Sequence, residues 1–132
     1  MKNKDKIEYW IDISRYDLKT IKVMLEGKRY LYVGFMCHQV IEKILKGYYI
    51  FINNQNPPYT HNLFYLIKQC KLYEELSEKQ KNLIDTLEPM NISSRYPEDK
   101  KKLLKALNRN KCIKIINETM ELWKWIKKKL SK

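Results

Sequence analysis

The chain has 132 residues, of which 27 are Lys or Arg and 15 are Asp or Glu, a formal charge of +12. That length suits one domain with a real hydrophobic core, and three Gly, four Pro and no strand-like alternation point to an all-α fold. The excess of cations favours polyanionic or acidic partners, although all but four of them are Lys, so part of the charge is ordinary solvated surface.

The N-terminus, MKNKDKIEYW, has no apolar signal core. No uninterrupted apolar run is as long as the ~18 residues of a membrane span. Cys37, Cys70 and Cys112 are odd in number and far apart, which fits reduced thiols in a cytoplasmic protein rather than a disulfide framework. Two His and three scattered Cys lack metal-ligand spacing, so neither a metal nor a cofactor is expected.

Taken in order, Ile7, Ile11, Ser14, Leu18, Ile21 and Leu25 step by three and four. They predict a first amphipathic helix over about 5 to 26, with Gly27 as its C′ residue. A short link leads into RYLYVGFMCHQVIEKILKGYYIFI, residues 29–52, a central helix whose apolar face from Val33 to Ile52 fills half its circumference. Its opposite arc holds His38, Gln39, Glu42, Lys43 and Lys46. The run from Asn53 to Pro58 breaks the helix. Thr60 is then the expected cap of a third helix, with His61 and Asn62 in its first turn.

Ser77 with Gln80 forms a capping-box pattern for a fourth helix, which Pro89 should end near Glu88. MNISSRYPED (90–99) reads as irregular, and Pro97 suits the opening of a short basic helix. A last helix is expected over about 110 to 130, capped by Asn110, with Ile113, Ile116, Met120, Trp123 and Leu130 on its inner face. The lysines at its end sit where the helix dipole favours cations.

Several pieces now share an order: Tyr16-Asp17-Leu18, the entry from Gly27 to Phe35, and His38-Gln39-Val40-Ile41-Glu42-Lys43-Ile44-Leu45-Lys46. Pro57-x-x-Thr60-His61-Asn62-Leu63 and Ser94-Arg95-Tyr96-Pro97 follow. Together they resemble the HEPN domain family (higher eukaryotes and prokaryotes nucleotide-binding), over nearly the whole chain. The resemblance implies one domain over residues 1–132, built as an up-and-down helical bundle of about five helices that dimerises, with apolar surface of the central helix region at the interface. It also implies genetic pairing with a minimal nucleotidyltransferase, in a toxin–antitoxin or defence-type module. Many relatives are metal-independent RNases that use an Arg followed after four to six residues by His. After Arg95 those positions, 100 to 102, are all Lys.

The candidate nucleotide- or RNA-binding residues are therefore His38, Gln39, Glu42, Lys43, Lys46, Arg95 and Tyr96. Arg95, His38 and His61 are the candidates for any catalysis. Metal-free RNA cleavage needs a base for the 2′-hydroxyl, an acid for the leaving oxygen and cations on the phosphorane. Only the two His titrate near neutrality unperturbed. Arg95 offers phosphate a bidentate fork that Lys lacks, or a salt bridge to Glu42. Tyr96 could stack on a base or simply pack. His38 and Glu42 stand four apart, which permits an intrahelical contact without any ligand. Glu42, Lys43 and Lys46 form either a surface network or a phosphate-facing patch. Three readings stay open: a nucleotide- or RNA-binding component acting with a nucleotidyltransferase, an RNase with an unusual Arg/His site, and a noncatalytic protein-interaction module.

Overall fold

The computed structural model describes residues 2–91 and 97–131. Among them six α-helices follow in order: α1 (Asn3–Glu26), α2 (Tyr30–Asn53), α3 (Leu63–Gln69), α4 (Glu78–Leu87), α5 (Pro97–Ala106) and α6 (Arg109–Leu130). Short 3-10 turns at Tyr73–Glu75 and Glu88–Met90 flank α4, and no strand occurs among the described residues.

Helix α2 is the axis of the bundle. Val33, Cys37, Val40, Ile41, Ile44 and Leu45 are all fully buried. Each larger aliphatic among them contributes roughly 1.5–3 kcal/mol by leaving water. Asn3 at the start of α1 bonds Asn54 just past the end of α2, whereas Asp17 further along α1 pairs with Lys43 earlier in α2, so α1 lies antiparallel to α2. The two approach closely at Gly47, where a Cβ would meet Trp10 Cβ at 3.2 Å. The elements α3 to α5 carry the chain back, and α6 runs parallel to α2: Cys112 lies at Tyr30, and Lys129 near Tyr48. Trp123 Nε1 of α6 donates to the buried Ser14 hydroxyl of α1 (2.9 Å), which itself donates to the Ile11 carbonyl (2.7 Å).

Four local expectations shift. The left-handed residue after α1 is Lys28 (φ 58°), not Gly27 (φ −80°). Lys28 N donates to Leu25 O and Arg29 N to Met24 O, a Schellman closure displaced by one residue. Asn62, not Thr60, caps α3 by accepting from Tyr65 N, so His61 and Asn62 precede the helix; Thr60 instead accepts from Asn62 N. Asn108, not Asn110, caps α6 by accepting from Lys111 N (2.8 Å).

The inner face of α6 is also displaced. Cys112, Ile115, Thr119, Leu122 and Ile126 are buried, whereas Ile113 and Met120 are exposed. Apolar residues at adjacent positions give this helix two stripes, and α2 takes the other one. The capping box of Ser77 and Gln80 forms with both its hydrogen bonds, and α4 gives way to a 3-10 turn at Pro89.

The apolar face of α2 is used up inside the bundle, leaving Tyr32, Phe51 and Ile52 exposed. Other exposed apolar side chains lie on α1 and α6, at Tyr16, Val23, Ile113 and Met120.

Candidate functional site

His38, Glu42 and Lys46 stand at successive i, i+4 positions of α2 and form one row. The row is not a surface. His38 is fully buried, and Glu42 and Lys46 are buried with it, because Trp10 of α1 and His61 of the segment before α3 lie across them. The polar arc legible in the sequence is thus largely an internal network between α2 and its neighbours.

Glu42 is its centre. One carboxylate oxygen accepts from Lys46 Nζ (3.1 Å), and the other lies 2.8 Å from His61 Nδ1. A carboxylate only accepts hydrogen bonds, so it selects the His61 tautomer with the proton on Nδ1. The in-plane lone pair of Nε2 is then free. The His61 side chain is 58% exposed, so that nitrogen is available to solutes. Its orientation is that of a general base held by a carboxylate. The Lys46 ammonium also lies over the Trp10 ring, 5.6 Å from its centroid, within the range of a cation–π contact.

His38 Nδ1 is 3.8 Å from Glu42, too far for a hydrogen bond. Neither ring nitrogen of His38 makes a well-formed hydrogen bond among the described residues, although the His61 backbone stands near enough to favour its proton. Burial pushes its pKa down to about 4, against the opposing pull of Glu42 and of the His61 backbone. The ring is therefore neutral in the core at neutral pH and out of reach of a solute.

The remaining candidates separate. Lys43 leaves the row to pair with Asp17 of α1, both largely buried. Gln39 Nε2 donates to Asn91 Oδ1 (3.2 Å). Arg95 and Tyr96 lie outside the described residues. The structure thus brings His61, Glu42, Lys46 and His38 together, with Gln39 and Lys43 on adjoining flanks.

Two members of the neighbourhood carried no sequence signal. Trp10 read as an apolar residue beside a helix stripe. Glu88 read as a helix end, but its carboxylate accepts from Phe64 N (2.7 Å) at the start of α3. Burial raises the Glu88 pKa, the Phe64 and Leu63 amides oppose that, and Asp85 and Glu42 add to it. Glu88 therefore stands close enough to Glu42 for their charges to interact.

Among the described residues, no group of three His, Cys, Asp or Glu side chains is placed to hold a metal ion, and no helix is long and apolar enough to cross a membrane. Lys100, Lys101, Lys102, Lys105, Lys111 and Lys114 form an exposed cationic stretch on α5 and α6. None of them is ion-paired among the described residues, which leaves their charge available to a polyanion.

An all-α bundle wound around a central helix, with a carboxylate–histidine–lysine cluster where that helix meets the segment before α3, defines the class. The chain belongs to the HEPN domain family, whose family model matches residues 7–130. The bundle is similar to the crystal structure of the protein TT1696 from Thermus thermophilus. The TM-score is 0.78 at 16% identity, over 94% of this chain and 98% of that one, a likeness of fold. No curated protein matched the chain.

Proposed function

We propose that this HEPN protein is a single-domain nucleotide- or RNA-binding component that works with a separate minimal nucleotidyltransferase, as a toxin–antitoxin or defence-type module in the cytoplasm, and that it functions as a homodimer. The observation that carries the reading is the cluster itself. An exposed His61 is oriented by the buried Glu42, which also holds the Lys46 cation, in a chain with unpaired lysines on α5 and α6. An imidazole whose free Nε2 accepts a hydrogen bond suits a ribose hydroxyl as donor, and the cations nearby attract the phosphodiester charge.

The test is co-expression with the neighbouring nucleotidyltransferase, followed by size-exclusion chromatography with light scattering. Co-elution of the two chains supports the partnership. Separate elution, with this chain at monomer mass, contradicts both the partnership and the dimer.

A second reading is favoured by one specific feature, the carboxylate-held His61. In it His61 takes the proton of a ribose 2′-hydroxyl, and the chain is a metal-independent RNase, with Arg95 a candidate for phosphorane charge. Cleavage of mixed-sequence RNA in excess EDTA, lost in both His61→Ala and Arg95→Ala, would establish it. Intact RNA with wild-type protein returns the role to binding, or to a noncatalytic interaction module if RNA is not bound either.

A further inference from the structure

Beside the cluster lies a cavity of about 260 Å³. Its walls come from α1 (Lys6 and Trp10), α2 (Lys46) and the segment after α2 (Asn56, Pro57 and Tyr59). We infer that this cavity binds one mononucleotide unit, its flat base against the Tyr59 and Trp10 rings and its phosphate on Lys6 beside Lys46. The inference rests on the nucleotide-binding reading above and gives it a location and a size.

Charge comes first. Among the described residues no carboxylate lines the cavity, while two ammonium groups do. Lys46 is neutralised by Glu42. Lys6 Nζ instead donates to the neutral Asn56 side chain (2.8 Å) and has no ion pair among the described residues, so its full charge remains at the wall. An anion is the complementary ligand, and lysine supplies phosphate with a point charge.

The second observation is aromatic. Tyr59 is 107% exposed, and its ring makes no aromatic contact or hydrogen bond among the described residues. A tyrosine normally packs at least one face. This one follows Pro57 and Pro58, whose rings fix the backbone and hold it out at the cavity wall. Trp10 presents a second ring at the same wall, next to the Lys46 cation. The open Tyr59 ring beside the lysine cations matches the pairing of base and phosphate within a nucleotide, with Trp10, already under the Lys46 cation, completing the wall.

Size sets the limit. The volume falls just under the ~300 Å³ at which ordinary small-ligand cavities begin. It therefore leaves no room for a second nucleotide.

The same chemistry is carried by a free nucleoside monophosphate and by the terminal nucleotide of an RNA. Calorimetric titration of the full chain with AMP, adenosine and ribose 5-phosphate, beside anisotropy with a single-stranded RNA, separates these sources. AMP should bind about tenfold or more tightly than either fragment, since both halves of the site are engaged. Tyr59→Ala should weaken AMP by about tenfold, within the range for removing one base-stacking ring. Lys6→Glu should weaken AMP and ribose 5-phosphate but leave adenosine unchanged. Neither side chain is buried, and unchanged circular dichroism melts will show that the variants fold. If the variants lose AMP while keeping RNA, the occupant is a free mononucleotide; if they lose both, it is an RNA end. RNA binding without AMP binding, or AMP binding untouched by both variants, overturns the cavity assignment and leaves the broader reading in place. Failure of wild-type protein to bind either ligand overturns both.

Discussion

His38 makes the fold's stability depend on pH in a defined window. Its folded pKa, about 4, lies below the ordinary 6.5 of an unfolded chain because burial disfavours the imidazolium. Between those values the unfolded state binds the proton and the folded state does not, so stability rises with pH through the window and is lost as pH falls. The gap corresponds to about 3 kcal/mol, complete near pH 4, with about 2 kcal/mol already lost between pH 7 and pH 5. The groups facing His38 are Glu42, His61 and Lys46, and all three are present in wild type and variant alike. A His38→Met substitution isolates the effect, since methionine fills irregular core space and binds no proton. Urea unfolding followed by circular dichroism at pH 7, 6 and 5 should show wild type losing about 2 kcal/mol more than His38→Met. At pH 7 the variant should be close to neutral, because the imidazole it replaces makes no well-formed hydrogen bond among the described residues. Parallel profiles for the two proteins would refute the reasoning.

Three further outcomes follow from the same geometry. Glu42→Ala leaves the buried Lys46 cation without its carboxylate. It should cost about 3–5 kcal/mol in urea unfolding, whereas Glu42→Leu combined with Lys46→Met should recover much of that loss. Lys28→Gly removes a side chain from a left-handed backbone position, φ 58°. It should stabilise the protein by about 1 kcal/mol, read as a raised Tm; an unchanged or lower Tm counts against the displaced Schellman closure. Burial raises the thiols of Cys37 and Cys70 to about 12 and that of Cys112 to about 11. Ellman's reagent should therefore label none of the three quickly in native protein and all three in denaturant.

Much of the helical order was legible because it rests on local rules. The α2 stripe, the box at Ser77 and Gln80, and the punctuation by Pro89 and Pro97 are each set within a few residues. Periodicity failed where two solutions coexist. Helix α6 carries apolar side chains at 112 and 113 and again at 115 and 116, and only the packing against α2 decides which of each pair turns inward.

The site was legible as residue types but not as contacts. Spacing alone allowed His38 to pair with Glu42, yet Lys46 and the distant His61 take the carboxylate. His61 lies 19 residues from Glu42, and Trp10 reaches Lys46 from a different helix. Both contacts are information carried by the fold rather than by any helical repeat.

The most direct test of the account is an anisotropy titration of labelled single-stranded RNA with wild-type protein and His61→Ala at low and moderate salt. The account predicts binding that weakens as salt rises, through release of counterions from the phosphates, and a weaker complex for His61→Ala at every salt concentration. Absence of RNA binding by wild type at low salt, or identical affinities for the two proteins, would contradict the claim that the His61–Glu42–Lys46 cluster is where this HEPN chain meets its ligand.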